Sequence, residues 1–183
     1  MEGMKAATAV FCLVAAASAP SAALARDPEP SRGVELEAVS WQLFISSSSR
    51  KGVWEDAPSV VVRGSKLPGR LRAVATLDNA SSRAMLGLVL RYVVSMRYDS
   101  PDGKSESIPF FLDERRVPMV QAGESLRLSL EVPNLGSNLR ESLGSNLPRP
   151  LSVRIKVVLK PRGDLVEKLQ AVSGDLRLRY WDR

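Results

Sequence analysis

Between residues 34 and 181 the chain repeatedly alternates large apolar residues with small or charged ones, the two-residue period of a strand with one buried face. The longest run is Leu86 to Asp99. Leu86, Leu88, Leu90, Tyr92, Val94, Met96 and Tyr98 alternate with Gly87, Val89, Arg91, Val93, Ser95 and Arg97, and the run is expected to be the central strand. Val34 to Ser46 sets Val39, Trp41, Leu43 and Ile45 on one face. Gly69 to Asp78 sets Leu71, Ala73, Ala75 and Leu77 against Arg70, Arg72, Val74 and Thr76. Leu126, Leu128, Leu130 and Val132 form another inward row, ended by Pro133. Leu151, Val153, Ile155, Val157 and Leu159 oppose Ser152, Arg154, Lys156, Val158 and Lys160. Last, Leu176, Leu178 and Tyr180 oppose Arg177, Arg179 and Trp181. Shorter runs are predicted at Ser59 to Arg63, as an edge strand, at Ser105 to Leu112, and at Val117 to Val120, as an edge or crossover piece.

The connections carry turn chemistry. Asp78-Asn79-Ala80-Ser81-Ser82 offers side chains that bond to the local backbone, and Ser100-Pro101-Asp102-Gly103 predicts a hairpin. Ser46 to Lys51 reads as a flexible, basic loop. Two segments break the strand pattern. Leu135-Gly-Ser-Asn-Leu139 recurs as Leu143-Gly-Ser-Asn-Leu147, so leucines fall four apart as on a helix, but both glycines weaken one. A loop or helical turn capping one end of the fold is preferred there. Asp164 to Val172 reads as a short helix stopped by Gly174, with an extended hairpin arm as its rival.

At the N-terminus, Lys5, the apolar run Ala6 to Ala19 and the small residues Ala23-Leu24-Ala25 have the order of a secretory signal peptide. The run is shorter than the roughly 20 residues a membrane span needs. Residues 1–25 are expected to be removed, 26–32 to be a loose lead, and 33–183 to form a single domain, with no transmembrane segment left after cleavage. Cys12, the one cysteine, would leave with the signal, so packing rather than disulfides would hold the mature chain. The formal charge is +6 and unchanged by cleavage, since Glu2 and Lys5 cancel. Abundant Ala, Arg and Leu point to a bacterial source, hence to a periplasmic or extracellular location.

The run Gly69 to Asn79, the Tyr-bearing long strand, the Pro-Asp-Gly hairpin and Ala122-Gly123-Glu124-Ser125 before Leu126 to Pro133 together resemble bacterial exported immunoglobulin-like or fibronectin type III-like domains. The resemblance covers about residues 60–180. It implies an all-β, antiparallel β-sandwich of about 7–9 strands with one or two short helical segments. The cysteine pair of antibody domains is absent, and such domains serve many functions, so the likeness implies no activity.

The chain has no histidine and, once cleaved, would have no cysteine, so the commonest general base, thiol nucleophile and zinc ligands are missing. Ser48 and Lys51 have Ser-x-x-Lys spacing but lack the companion motifs of β-lactam-binding enzymes. Glu55/Asp56 and Asp113/Glu114 read as solvated loop charges, and Asp99, Asp102 and Gly103 supply too few oxygens for calcium. Asn79-Ala80-Ser81 is a glycosylation sequon, relevant only in a eukaryotic source. No catalytic residue, cofactor or metal site is expected.

What remains is a basic face. In an immunoglobulin-like topology the long strand, the 151–160 strand and the last strand share a sheet. Arg91, Arg97, Arg154, Lys156, Arg177, Arg179 and Trp181 would then point outward together, as a candidate surface for an anionic envelope macromolecule or acidic protein. A plain solvated sheet face is the competing reading, and a nucleic-acid partner is not expected. The expected function is a secreted or periplasmic, non-catalytic binding or structural module. An enzyme or enzyme inhibitor with an unfamiliar site is the alternative.

Overall fold

The computed structural model describes residues 33–47, 50–99, 104–160 and 169–181. The expected signal peptide and lead, Ser48, the Pro101-Asp102-Gly103 turn and residues 161–168 lie outside the described residues. Among the described residues the chain forms nine strands and one helix. These are β1 (Val34–Ser47), β2 (Arg50–Asp56), β3 (Ser59–Arg63), β4 (Arg70–Asn79), β5 (Met85–Asp99), β6 (Ser105–Val120), β7 (Ser125–Leu130), α1 (Leu135–Gly144), β8 (Ser152–Leu159) and β9 (Gln170–Trp181).

Two sheets face each other, one ordered β2-β1-β4-β7 and the other β3-β9-β8-β5-β6. In the first, β1, β4 and β7 lie as strands A, B and E of an immunoglobulin sandwich; in the second, β5, β8 and β9 lie as C, F and G. The chain is therefore an immunoglobulin-like β-sandwich. All pairings are antiparallel except that of β3 with β9, which is parallel. β3 lies at an edge, as its length and flanking Pro58 and Gly64 predict. The middle place in the larger sheet belongs to β8, with the long β5 beside it.

The inward rows build the core. Ala73, Ala75 and Leu77 of β4, Leu88, Leu90 and Val94 of β5, and Ile155, Val157 and Leu159 of β8 are all fully buried. Three expected inward residues are instead exposed. Leu86 is 57% exposed because Gly87 takes φ 63°, which reverses the parity and turns Met85 toward the core. Leu151 precedes β8, and Ile45 lies near the β1–β2 hairpin tip; both are half exposed. Along β1 a register shift at Glu37 lets even-numbered Val34 and Leu36 and odd-numbered Trp41 face the same interior.

Four other expectations are corrected. Residues 50–51 belong to a strand rather than a loop, since β1 continues as a hairpin into β2, and Phe44 pairs with Trp54 across it. Ser105–Leu112 and Val117–Val120 are parts of one strand, β6. It tolerates Pro109 and Pro118 because its outer edge is unpaired, and Phe110 bulges beside Pro109. Leu135–Gly144 is a true helix whose Leu135 and Leu139 are buried over the end of the sandwich; tertiary burial outweighs the glycine penalty. Ser142 on the same helix meets the Tyr98 hydroxyl at 2.8 Å. Finally, the predicted helix at 164–172 is strand in its described part, because Gln170–Val172 opens β9. Among the described residues no helix is long and apolar enough to cross a membrane.

Two polar anchors tie the layers. The Trp41 indole N–H donates to the Gly174 carbonyl at 3.2 Å, from one sheet to the other. A Cβ on Gly174 would lie 2.5 Å from the Val39 carbonyl oxygen, so only glycine allows β1 this close to β9. The Asn79 side chain is fully buried. Its Nδ2 donates toward the carbonyls of Arg83, Val120 and Gln121, and its Oδ1 accepts from the Ser81 amide and hydroxyl. The sequon is thus a structural corner with its amide enclosed, not a presented glycosylation acceptor.

These contacts make three predictions, all checked by chemical denaturation. Leu90→Ala should lower stability by about 2–5 kcal/mol, while Arg91→Ala, exposed on the opposite face and holding only a solvent-exposed ion pair with Glu114, should cost about 1 kcal/mol or less. Gly174→Ala should destabilise by about 1–3 kcal/mol through overpacking. Gly136→Ala, with open space around it in α1, should stabilise by up to about 1 kcal/mol.

Candidate functional site

The outer face of the larger sheet is set by parity. Because Val153, Ile155 and Val157 face the core, Ser152, Arg154, Lys156 and Val158 face out. Register then aligns the neighbours in rows: Arg177, Ser152, Arg97 and Ser107; Asp175, Arg154 and Ser95; Ser173, Lys156, Val93 and Leu112; Ala171, Val158, Arg91 and Glu114. Toward β3, Arg179 pairs with Val61 and Trp181 with Arg63. The seven residues singled out in the sequence, Arg91, Arg97, Arg154, Lys156, Arg177, Arg179 and Trp181, therefore lie on one face spanning β5, β8 and β9.

Their charges are unequally free. Arg154 makes a bidentate contact with Asp175, both bonds 2.9 Å, and Arg97 approaches the same carboxylate at 3.8 Å. Hydrogen bonding by Arg154 holds the Asp175 carboxyl below its ordinary range, and the same contact raises the Arg154 guanidinium. Arg91 (3.2 Å) and Lys160 (3.0 Å) share Glu114, whose carboxyl is lowered first by the Lys160 hydrogen bond. Arg97 also donates to the Ser105 hydroxyl at 2.8 Å. Among the described residues, Lys156, Arg177 and Arg179 form no ion pair within 4.0 Å. Trp181 is 57% exposed, with the Arg63 guanidinium 5.6 Å from its ring centre. Of these three cations, Arg177 and Arg179 lie toward the Trp181 end of β9, while Lys156 lies on β8 opposite Ser173.

Some members of this face were missed in the sequence. Asp175 shares the parity of Arg177 and could have been read from it. Glu114 could not, because its strand had been read as two pieces. Arg63 and Arg116 join the face only through pairing with β9 and β5.

The other candidates separate. Glu55 and Asp56 lie in β2, and Asp113 and Glu114 in β6; all four are exposed as expected, but as strand neighbours pointing to opposite faces rather than in loops. Asp56 accepts from Gln42 at 2.9 Å, and Asp113 lies 3.1 Å from the Tyr92 hydroxyl. Burial first, then that carboxylate, pushes the Tyr92 phenol well above its usual range; burial likewise raises Tyr180 to about 12. Asp99 pairs with Ser105 at the end of β5, while Asp102 and Gly103, like Ser48, lie outside the described residues. Among the described residues no three His, Cys, Asp or Glu side chains come together as metal ligands. An open groove of about 790 Å³ lies away from the basic face, between the start of β4, Trp54 of β2 and α1.

No family model matches the chain, and no curated protein matches it in sequence. Among solved structures the chain is similar to the crystal structure of an immunoglobulin-like protein from Pseudomonas aeruginosa, at 14% identity over 80% of this chain and 98% of that one, with a TM-score of 0.33. So distant a likeness transfers no residue and no role; the immunoglobulin-like assignment stands on strand order and register.

Proposed function

We propose that the protein is an exported, non-catalytic module whose β9–β8–β5 face holds an anionic macromolecule of the cell envelope. One observation carries the reading: Arg177 and Arg179 form no ion pair among the described residues and lead along β9 to exposed Trp181, with Lys156, likewise without an ion pair, on the same open sheet face opposite Ser173. Unpaired cations can be neutralised by a partner without first breaking an internal pair, and Arg and Trp are enriched at interface centres. An open sheet face suits the broad surface of a macromolecule better than a small substrate. Export rests on the N-terminal pattern of Lys5, Ala6 to Ala19 and Ala23-Leu24-Ala25. The non-catalytic reading draws on the carboxylates of the face, since ion pairs lower Asp175 and Glu114, the reverse of what a general acid near neutral pH requires.

Two measurements test this. In an exporting bacterial host, mass spectrometry should find a chain beginning at Arg26; intact Met1 in the membrane fraction would refute the export reading. Capture from envelope extract should differ between wild type and a folded Arg177→Glu/Arg179→Glu variant, with the captured partner bound at least about tenfold more weakly by the variant. Binding should also weaken as salt rises, because the Debye length falls from about 10 Å at 0.1 M to about 3 Å at 1 M. Arg154 is left unchanged because its loss would strand Asp175. Identical partners and affinities for both proteins would show the face to be only a solvated surface.

A further inference from the structure

The groove beside α1 is a second surface, independent of the basic sheet face. One wall is held in place: the Arg72 guanidinium lies 4.1 Å over the Trp54 ring, and its Nε and Nη2 donate to Gln42 Oε1 at 3.0 and 2.8 Å. Gln42 in turn donates to Asp56 at 2.9 Å, so the stack is fixed from behind by a chain of hydrogen bonds crossing β4, β1 and β2. Phe44 supports the same indole, ring centres 5.2 Å apart. Lys66 and Arg70 line the groove beside this wall, and Arg140 reaches it from α1. All three are exposed, and among the described residues none forms an ion pair; Glu131 is the carboxylate in the lining.

We propose that this groove binds the acidic sugar units of a carboxylated glycan. Its volume of about 790 Å³ is in the range of ligand sites. Val132 and Leu135 reach it from the core and are buried, while Leu67, Leu71 and Pro133 stay partly or fully exposed in the lining, so it offers a ligand an apolar patch, the edge of Trp54 with its stacked guanidinium, and free cations. A pyranose presents an apolar C–H face to an aromatic ring and its carboxylate to guanidinium or ammonium groups. An acidic peptide could use the cations but carries its carboxylates on flexible chains with no rigid apolar ring to set against Leu67, Leu71 and the Trp54 edge, and a neutral sugar would leave the cations unneutralised.

Calorimetric titration of the purified chain with oligomers of galacturonic acid tests the assignment. The acidic oligomer should bind, and a neutral galactose oligomer of equal length should bind at least about tenfold more weakly. Arg70→Ala/Arg140→Ala should weaken the acidic oligomer by at least about tenfold, while Arg177→Glu/Arg179→Glu on the sheet face should change it by less than about twofold. Arg140→Ala alone, an exposed helix position, should give a smaller loss in the same direction without risk to folding. Equal binding by the groove variants and wild type overturns the proposal. So does equal binding of the neutral oligomer, or of a polyglutamate of matched charge. Loss on the sheet-face variant alone would assign the glycan to that other face.

Discussion

The close approach of β1 to β9 at Gly174 is the constraint on which the sandwich depends. A strand can lie this near another sheet only where no Cβ intervenes, and Gly174 leaves the Val39 carbonyl that space. The contact is then tied by the Trp41 N–H to the Gly174 carbonyl. A few residues away, the Gln170 side chain accepts from the Leu36 amide at 2.6 Å and donates to the Val34 carbonyl at 2.9 Å. These bonds fix which side of β9 is interior, and parity does the rest. With Gly174, Leu176 and Leu178 inward, Asp175, Arg177, Arg179 and Trp181 have only the outer face to occupy.

Polar groups inside the fold are satisfied at each place where chain segments meet. Asn79 bonds turn residues on both flanks of β4–β5 and β6–β7; its own amide donates to Glu124 and its carbonyl accepts from Gly123. Tyr98 joins β5 to α1 through Ser142, and Tyr180 donates to the Pro150 carbonyl at 2.8 Å. Among the described residues no buried side-chain nitrogen or oxygen lacks a partner. A buried amide without a partner costs about 1–3 kcal/mol, so such corners specify one register rather than merely adding stability.

The two charged surfaces differ in kind. On the sheet face, Asp175 and Glu114 are each shared by two cations, which leaves Lys156, Arg177 and Arg179 without an ion pair among the described residues. In the groove the cations flank a pre-oriented indole and guanidinium. The open face favours broad, salt-sensitive contact, and the groove favours a ligand with shape as well as charge.

The two-residue period alone determined the buried rows of β4, β5, β7 and β8 and the outward direction of Arg91, Arg154, Lys156, Arg177 and Arg179. Alternation is a local property of extended backbone, written residue by residue. The sharing of a sheet by β5, β8 and β9 followed from the resemblance to immunoglobulin-like domains. Where a single residue changes the parity, only the folded chain decides: Gly87 at positive φ expelled Leu86, and the bulge at Glu37 brought Val34 and Trp41 to the same side. Pairing across long sequence separations was likewise illegible. β2 gains its identity from β1, β6 becomes one strand by lying along β5, and α1 forms because its leucines close the end of the sandwich. Tertiary structure also assigned Asp175 to Arg154 and Glu114 to Arg91 and Lys160, and it assembled the groove from β2, β4 and α1. Each of these depends on which distant residue lies opposite, and a local pattern of apolar and polar positions holds no information about that.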